Sequence, residues 1–276
     1  MITYKIDKTL EHKKHLLEGL LEYNESVTGD TEYGPYCVYL LKENKLVGGI
    51  QSSYDWNWAN LGEMYYESNQ ILAIMLNELY KRYTGNVQGI SFDSHITITI
   101  DDLIKQGFNS KVILNDKPLG KEFHELVNED MFVKAIDHDF IIITSTEPHE
   151  SYKEIMKNHI NDYNQRHNLK SDAEELQVIA MNDGKIVGGV YGYIKDDYLF
   201  VSILWVDESY RKSNIATELM SMIESAAVSR DIKSSYLGTT SFQAKGFYEK
   251  LGYVVKGTFE ELPKGYENYT MVKQVI

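Results

Sequence analysis

The segment KLVGGI at Lys45–Ile50 returns as KIVGGV at Lys185–Val190. Sliding the sequence by the 140 positions between Lys45 and Lys185 also lays Leu20 on Ile160, Tyr23 on Tyr163 and Asn24 on Asn164. Self-similarity on this scale means that the 276 residues are built from one unit used twice, each of ordinary domain size. Each copy opens with a short strand-like run. Apolar residues at helical spacing follow: Leu16, Leu17, Leu20 and Leu21 in the first copy, Ile155, Met156 and Ile160 in the second. Farther on, IKQGF at Ile104–Phe108 matches EKLGY at Glu249–Tyr253, and Pro118 and Gly120 match Pro263 and Gly265, all at an offset of 145. The first copy is therefore about five residues shorter, the difference between the two offsets. The shortfall lies between the strand-like NLGEMYYES and a helix starting near Asn69, where the second copy has DESYRKSNIA. No Gly/Ser/Pro linker marks the boundary. The expected division falls near Asp137, giving domains 1–137 and 138–276 that pack tightly as an internal pseudo-dimer. The glycine pairs Gly48–Gly49 and Gly188–Gly189, inside strand-like runs, predict close backbone approach or a bulge.

Composition removes several classes of function. Apolar residues make up 43% and charged residues 25%, with four prolines and no low-complexity tract, so the chain has the makings of a packed core. A net charge of −13 opposes a nucleic-acid backbone, whose phosphates need clustered Lys and Arg, and favours the approach of a cationic small molecule. The most apolar run, FIIIT from Phe140, is too short for a membrane span and predicts a buried strand. The single cysteine, Cys37, has no internal disulfide partner and is expected as a small buried hydrophobe. Together with an N-terminus lacking the apolar run of a signal peptide, it points to a cytoplasmic protein. His12 and His15 stand at i, i+3 spacing without a third ligand in view, so no metal is expected.

The second copy carries the chemistry. YLFVSILWV at Tyr198–Val206 has the near-continuous apolar character of a central strand, and it runs into a polar loop and then a helix beginning near Asn214. The first N–H groups of such a helix lack intrahelical partners, and with the helix dipole they form an anion site suited to phosphate oxygens. Arg211 and Lys212 add positive charge beside it. Downstream, SSYLGTTSFQAKGFYEKLGYVVKGTF supplies a strand, a polar loop, a short helix with Phe247, Tyr248 and Leu251, a stop at Gly252, and another strand.

This combination resembles the GNAT superfamily of acyl-CoA-dependent N-acetyltransferases over residues 138 to 276. The apolar strand ending LWV, the pyrophosphate loop at Arg211–Ala216 and the segment FQAKGFYEKLGY carry the resemblance. It implies an α/β fold of two tandem domains, each a mixed sheet flanked by helices and splayed between its fourth and fifth strands. Acetyl-CoA would lie in the gap as co-substrate. Backbone groups around Leu204, Trp205 and Val206 would hold the pantetheine. Amides from Arg211 through Lys212, Ser213, Asn214, Ile215, Ala216 and Thr217 would cradle the pyrophosphate. Gln243, Phe247 and Lys250 would line the other wall. Tyr248 would be the general acid, since a phenol is protonated at neutral pH and donates within hydrogen-bond range. For the base, Glu260, Glu261, Tyr193 and a water chain are all open. Asn214 stands where the family pattern has glycine, and asparagine is among the residues that tolerate left-handed backbone angles.

The first copy keeps the scaffold but has no Arg or Lys in its shortened turn, and Leu103 stands where the second copy has Tyr248. It is expected to be a structural partner without a CoA site. Its aromatic residues Tyr54, Trp56, Trp58, Tyr65 and Tyr66 are expected either in the core or around an amine pocket. The expected function is acetyl transfer to the amine of a small cationic acceptor. A non-catalytic binding protein with a decayed site, and an acyl or aminoacyl transferase of tandem type, share the same features.

Overall fold

The structure is a computed structural model, and it describes all residues except 30–33, 95–96, 115–122, 129–135, 167–172, 196 and 276. Pro118 and Gly120 lie outside the described residues. The chain forms two compact units. Unit 1 is Met1–Asp30 with Asp172–Glu260 and Tyr266–Ile276, and unit 2 is Thr31–Ser171 with Glu261–Gly265.

The sheet of unit 1 runs β1 (Ile2–Ile6), β9 (Glu174–Asn182), β10 (Lys185–Lys195), β11 (Tyr198–Val206), β12 (Ser234–Thr240), β14 (Glu267–Gln274), β13 (Val254–Glu260). Neighbours are antiparallel except β11 and β12, which are parallel. Unit 2 repeats this order with β8 (Ile141–Ser145), β2 (Gly34–Lys42), β3 (Lys45–Asp55), β4 (Trp58–Tyr66), β5 (Gly89–Ser94), β7 (Phe123–Asn128) and β6 (Asn109–Leu114). Here β4 and β5 are the parallel pair. Both units are thus mixed α/β sheets, as expected.

The units are not the sequence halves 1–137 and 138–276. The strand at the edge of each sheet and the helix after it come from the opposite half. β1 pairs with β9, and α1 (Lys13–Thr28) packs on β10 and β11; β8 pairs with β2, and α4 (Glu150–Arg166) packs on β3 and β4. The glycine pairs show how these helices seat. A Cβ on Gly189 would lie 2.7 Å from both δ-carbons of Leu16 in α1, and one on Gly49 would lie 2.5 Å from the Met156 sulfur in α4. Their neighbours face the opposite helix layer: Gly188 meets Ile215 of α5 (Ile215–Val228), and Gly48 meets Ile71 of α2 (Asn69–Tyr83). Each pair therefore lets one strand be approached closely from both faces. A register shift also interrupts the ladder between Ile186 and Gly188.

Unit 1 is held by two apolar layers. One joins α5 residues Leu219, Met220 and Ile223 to Val178, Val190, Leu199 and Leu237; the other joins Leu16 of α1 to Ile179, Tyr191 and Ile203. Such an arrangement follows from strands that are apolar on both faces. Cys37 is fully buried, as expected of a small hydrophobe. The FIIIT run needs correction. It forms β8, but as an edge strand, with Ile141 56% exposed, because only β2 pairs with it. Among the described residues no helix is long and apolar enough to cross a membrane.

Candidate active site

The parallel pair of unit 1 is only half zipped. β11 and β12 pair from Tyr198–Ser234 to Val201–Leu237, after which both strands continue without pairing to each other. The Ile203–Val206 stretch of β11 keeps its β10 partners on one side and turns an unladdered edge toward β12 on the other. A bulge at Ser202, opposite the register shift at Tyr191 and Gly192, marks where the separation begins. Side chains alternate along this stretch. Leu204 and Val206 pack on the α5 layer, whereas Trp205 joins the α1 layer, edge-on to His15 at 5.2 Å and against Gly19.

At the end of β11 the chain makes a single 3₁₀ turn, Glu208–Tyr210, and then enters α5. Asp207 starts this turn by accepting from the Ser209 hydroxyl and, at 2.9 Å, from its amide. Those bonds hold the Asp207 carboxyl below the usual range, with Arg211 and His15 adding to the effect. Lys212 and Asn214 both take left-handed backbone angles, φ 62° and 64°. Asn214 is the N-cap of α5 yet its side chain makes no capping bond. Glu218 N–H takes the Asn214 carbonyl at 3.1 Å, while the amides of Lys212 through Thr217 have no acceptor among the described residues. Arg211 is an exception to the expected cradle, because its own amide donates to the Glu208 carbonyl at 3.2 Å. Its Nε donates to the Val206 carbonyl at 3.1 Å, and its guanidinium lies over the Tyr23 ring, 5.2 Å from the centroid. Ser213 turns its hydroxyl back to the Tyr210 carbonyl. Ile215 is buried against Gly188, with Ala216 and Thr217 half-buried after it.

The facing wall is β12 and α6 (Lys245–Lys250). Tyr248 lies in the core of unit 1, edge-on to Phe247 at 5.2 Å and to Tyr253 at 5.8 Å. Its hydroxyl makes no hydrogen bond among the described residues, and burial pushes its pKa far above the ordinary tyrosine value. Phe247 is half-buried and Lys250 exposed. Gln243 is committed elsewhere. Its oxygen accepts from the Thr240 amide at 3.0 Å, and its nitrogen donates to Asn24 of α1 at 2.8 Å. The base candidates are scattered. Tyr193 pairs with Phe200 near the β10–β11 hairpin, away from the splayed end. Glu261 belongs to unit 2, where its carboxylate accepts from the Gly265 amide at 2.9 Å. Glu260 is exposed at the end of β13.

The matching place in unit 2 is built differently. β4 and β5 also part after Leu61 and Phe92, but β4 passes into α2 almost directly. The Ser68 hydroxyl caps that helix by accepting from the Ile71 amide at 3.4 Å. Asp102 of α3 (Thr97–Lys105), only 7% exposed, accepts from Tyr66 at 3.1 Å and from Asn69 at 3.0 Å, so a carboxylate links α3 to the end of β4 and the start of α2. Leu103 is fully buried in the core. The aromatic residues are used in packing: Trp58 is 1% exposed, Tyr54 packs on the core, Tyr65 stacks on His159 at 4.0 Å, and Trp56 occupies the β3–β4 turn.

One group of possible metal ligands occurs among the described residues, Asp7, Glu11 and His12. Asp7 Oδ1 accepts from the Thr9 amide at 3.1 Å and hydroxyl at 2.7 Å, which closes a turn.

Comparison with known proteins gives the family of the chain. The acetyltransferase (GNAT) family matches residues 134–253. A blasticidin-S acetyltransferase of Streptomyces morookaense is 30% identical over 109 residues, covering 38% of this chain and 80% of the relative. The chain belongs to the GNAT acetyltransferase family. An acetyltransferase of Agrobacterium fabrum is 31% identical over 97 residues, 35% of this chain and 71% of its own. Among solved structures, a Bacillus cereus acetyltransferase is 33% identical, covering 46% of this chain and 94% of its own with a TM-score of 0.43. The family match and the two acetyltransferase relatives make this GNAT protein an acyltransferase. Its family match runs through β8 and α4, which fold into unit 2.

The loop and Tyr248 are the residues expected from sequence; the contacts of Tyr23 with Phe242 and Arg211 and of Asn24 with Gln243 were not foreseen. Their echo as Tyr163 and Asn164 was the available signal, yet it did not say which sheet each pair would reach.

Proposed function

We propose that unit 1 uses acetyl-CoA to acetylate the amine of a small cationic acceptor, and that unit 2 is a duplicated copy without a cofactor site. The observation that carries this reading is the run of unpartnered amides at Lys212–Thr217, beside Arg211 and Lys212 and at the mouth of the β11–β12 gap. These residues fit the cofactor. The amides and the α5 dipole suit its diphosphate, and the unladdered edge of β11 suits the amide-bearing pantetheine arm. Bound there, acetyl-CoA supplies a thioester open to attack by an amine. Burial disfavours the phenolate, so Tyr248 keeps its proton at Oη at neutral pH and would be the group to supply it to a departing thiolate. Of the base candidates from sequence, Glu260 keeps a carboxylate unengaged among the described residues. A net charge of −13 favours a cationic acceptor, and a relative named for blasticidin S supports a small-molecule one.

In unit 2, Asp102 ties α3 to the end of β4 and the start of α2 while paired with Lys105 at 3.1 Å, and the Ser68 hydroxyl caps α2, so the corresponding helix start is already engaged. The test is calorimetric titration of CoA-free protein with acetyl-CoA. One site per chain is expected. Arg211→Glu should weaken binding at least tenfold, since charges a few ångströms apart near a surface interact on the order of kcal/mol. Two equivalent sites would refute the assignment of unit 2, and no binding at all would refute that of unit 1.

A further inference from the structure

We infer that Asn24, delivered to unit 1 by α1, is a positioning residue for Tyr248; this rests on the reading of unit 1 as the transferase site. Asn24 is a buried polar side chain, 6% exposed, on α1. Such a group is costly to bury unless it is hydrogen-bonded, so its partner is informative. That partner is Gln243, whose Nε2 donates to Asn24 Oδ1 at 2.8 Å. Gln243 in turn organises the turn leading into α6. Its Oε1 accepts from the Thr240 amide at 3.0 Å and the Thr239 hydroxyl at 3.4 Å, and its own amide donates to the Thr240 carbonyl at 2.9 Å. Ala244, the next residue, offers its carbonyl to the amides of Phe247 and Tyr248 at 2.9 and 3.2 Å. Hydrogen bonds thus run from Asn24 through Gln243 and the Thr239 hydroxyl to the Ala244 amide at 3.4 Å, and the Ala244 carbonyl holds the backbone of Tyr248.

Tyr23, one residue earlier, reinforces the same turn from α1 and reaches the opposite wall as well. Its hydroxyl donates to the Phe242 carbonyl at 2.8 Å while its ring carries the Arg211 guanidinium. Adjacent residues of α1 therefore tie the turn before α6 to the loop before α5, the two elements that flank the β11–β12 gap. Asn24 acts through Gln243 and touches no reacting atom. Its effect is on where the Tyr248 hydroxyl stands, and a displacement of about 1 Å at such a group is enough to cost on the order of a hundredfold in rate.

The experiment is a double-mutant cycle on the full chain with Asn24→Ala, Gln243→Ala and the pair, read by steady-state kinetics and by amide hydrogen exchange. Asn24→Ala should lower kcat about ten- to a hundredfold with KM for acetyl-CoA changed less than about threefold, since the amides of Lys212–Thr217 are untouched. Exchange at residues 243–248 should quicken about tenfold while α5 keeps its protection. The pair should be little worse than the worse single variant, because both act through one bond. Strictly additive effects, a kcat equal to the parent's, or a loss confined to KM would overturn the inference. The exchange arm needs neither cofactor nor acceptor. A parent chain without transferase activity would therefore sink the reading of unit 1, while unchanged exchange at 243–248 would sink the role of Asn24.

Discussion

The seating of α1 on the second-half sheet can be tested by removing Leu16 and filling Gly189 in turn. Leu16 is fully buried among Ile179, Tyr191 and Ile203. Leu16→Ala should destabilise unit 1 by about 2–5 kcal/mol, the usual cost of a lost leucine plus its cavity. Gly189→Ala would bring its new Cβ to 2.7 Å from two carbons of Leu16 and 3.0 Å from one of Ile179. Contacts that close force a shift of packed groups, at about 1–3 kcal/mol. With Leu16 already truncated both leucine contacts vanish and only the Ile179 tip must give, so the double variant should recover about 1–2 kcal/mol of the summed cost. The control is Leu16→Ala with Gly49→Ala. Gly49 is approached by Met156 and not by Leu16, so those effects should add within about 0.5 kcal/mol. Guanidinium unfolding followed by tryptophan fluorescence is the assay, with Trp205 in unit 1 and Trp56 and Trp58 in unit 2, so that both units are read. If Leu16 couples to Gly49 and not to Gly189, α1 stays with its own half and the exchange of helices is wrong.

Tyr248→Phe should cut kcat by about 10²- to 10⁴-fold at nearly constant acetyl-CoA affinity, and an unchanged rate where chemistry limits turnover would remove the general-acid assignment. Because burial raises the Tyr248 pKa, no fall in kcat from its ionisation is expected up to about pH 10. By the same sign, its contribution to stability is complete below the unfolded value near 10 and declines above it, as unfolded tyrosine ionises first. At Asn214, with φ 64°, glycine should preserve acetyl-CoA binding, whereas a β-branched Val should weaken it about tenfold or more by straining the turn; calorimetry with Asn214→Gly and Asn214→Val decides.

What was legible from sequence was local. The strand into Val206, the loop at Arg211–Asn214 and the helix from Ile215 are written in adjacent residues, and the left-handed turn at Asn214 follows from what its short amide side chain tolerates. The shorter passage from β4 into α2, without Arg or Lys, was legible as missing residues. Asp102 was not, because its role depends on Tyr66 and Asn69, more than thirty positions away in the sequence. The exchange of helices was hidden for a different reason. Leu16 and Met156 are interchangeable in kind, as are Tyr23 and Tyr163, so helical spacing suits either helix to either sheet. Edge position was equally silent in FIIIT, whose apolar run says nothing of how many strands flank it.

The crossed first strands and helices change what a cut in the chain would do. A break at 137/138 yields one piece carrying β1 and α1 of unit 1 along with most of unit 2, and another carrying β8 and α4 of unit 2 along with most of unit 1. Each unit would lose a strand and a helix if the pieces separated, so clipping the backbone at its midpoint leaves two fragments interlocked like clasped hands. Coexpressed from separate genes, they would form an obligate pair whose acetyl transfer appears only when both are present.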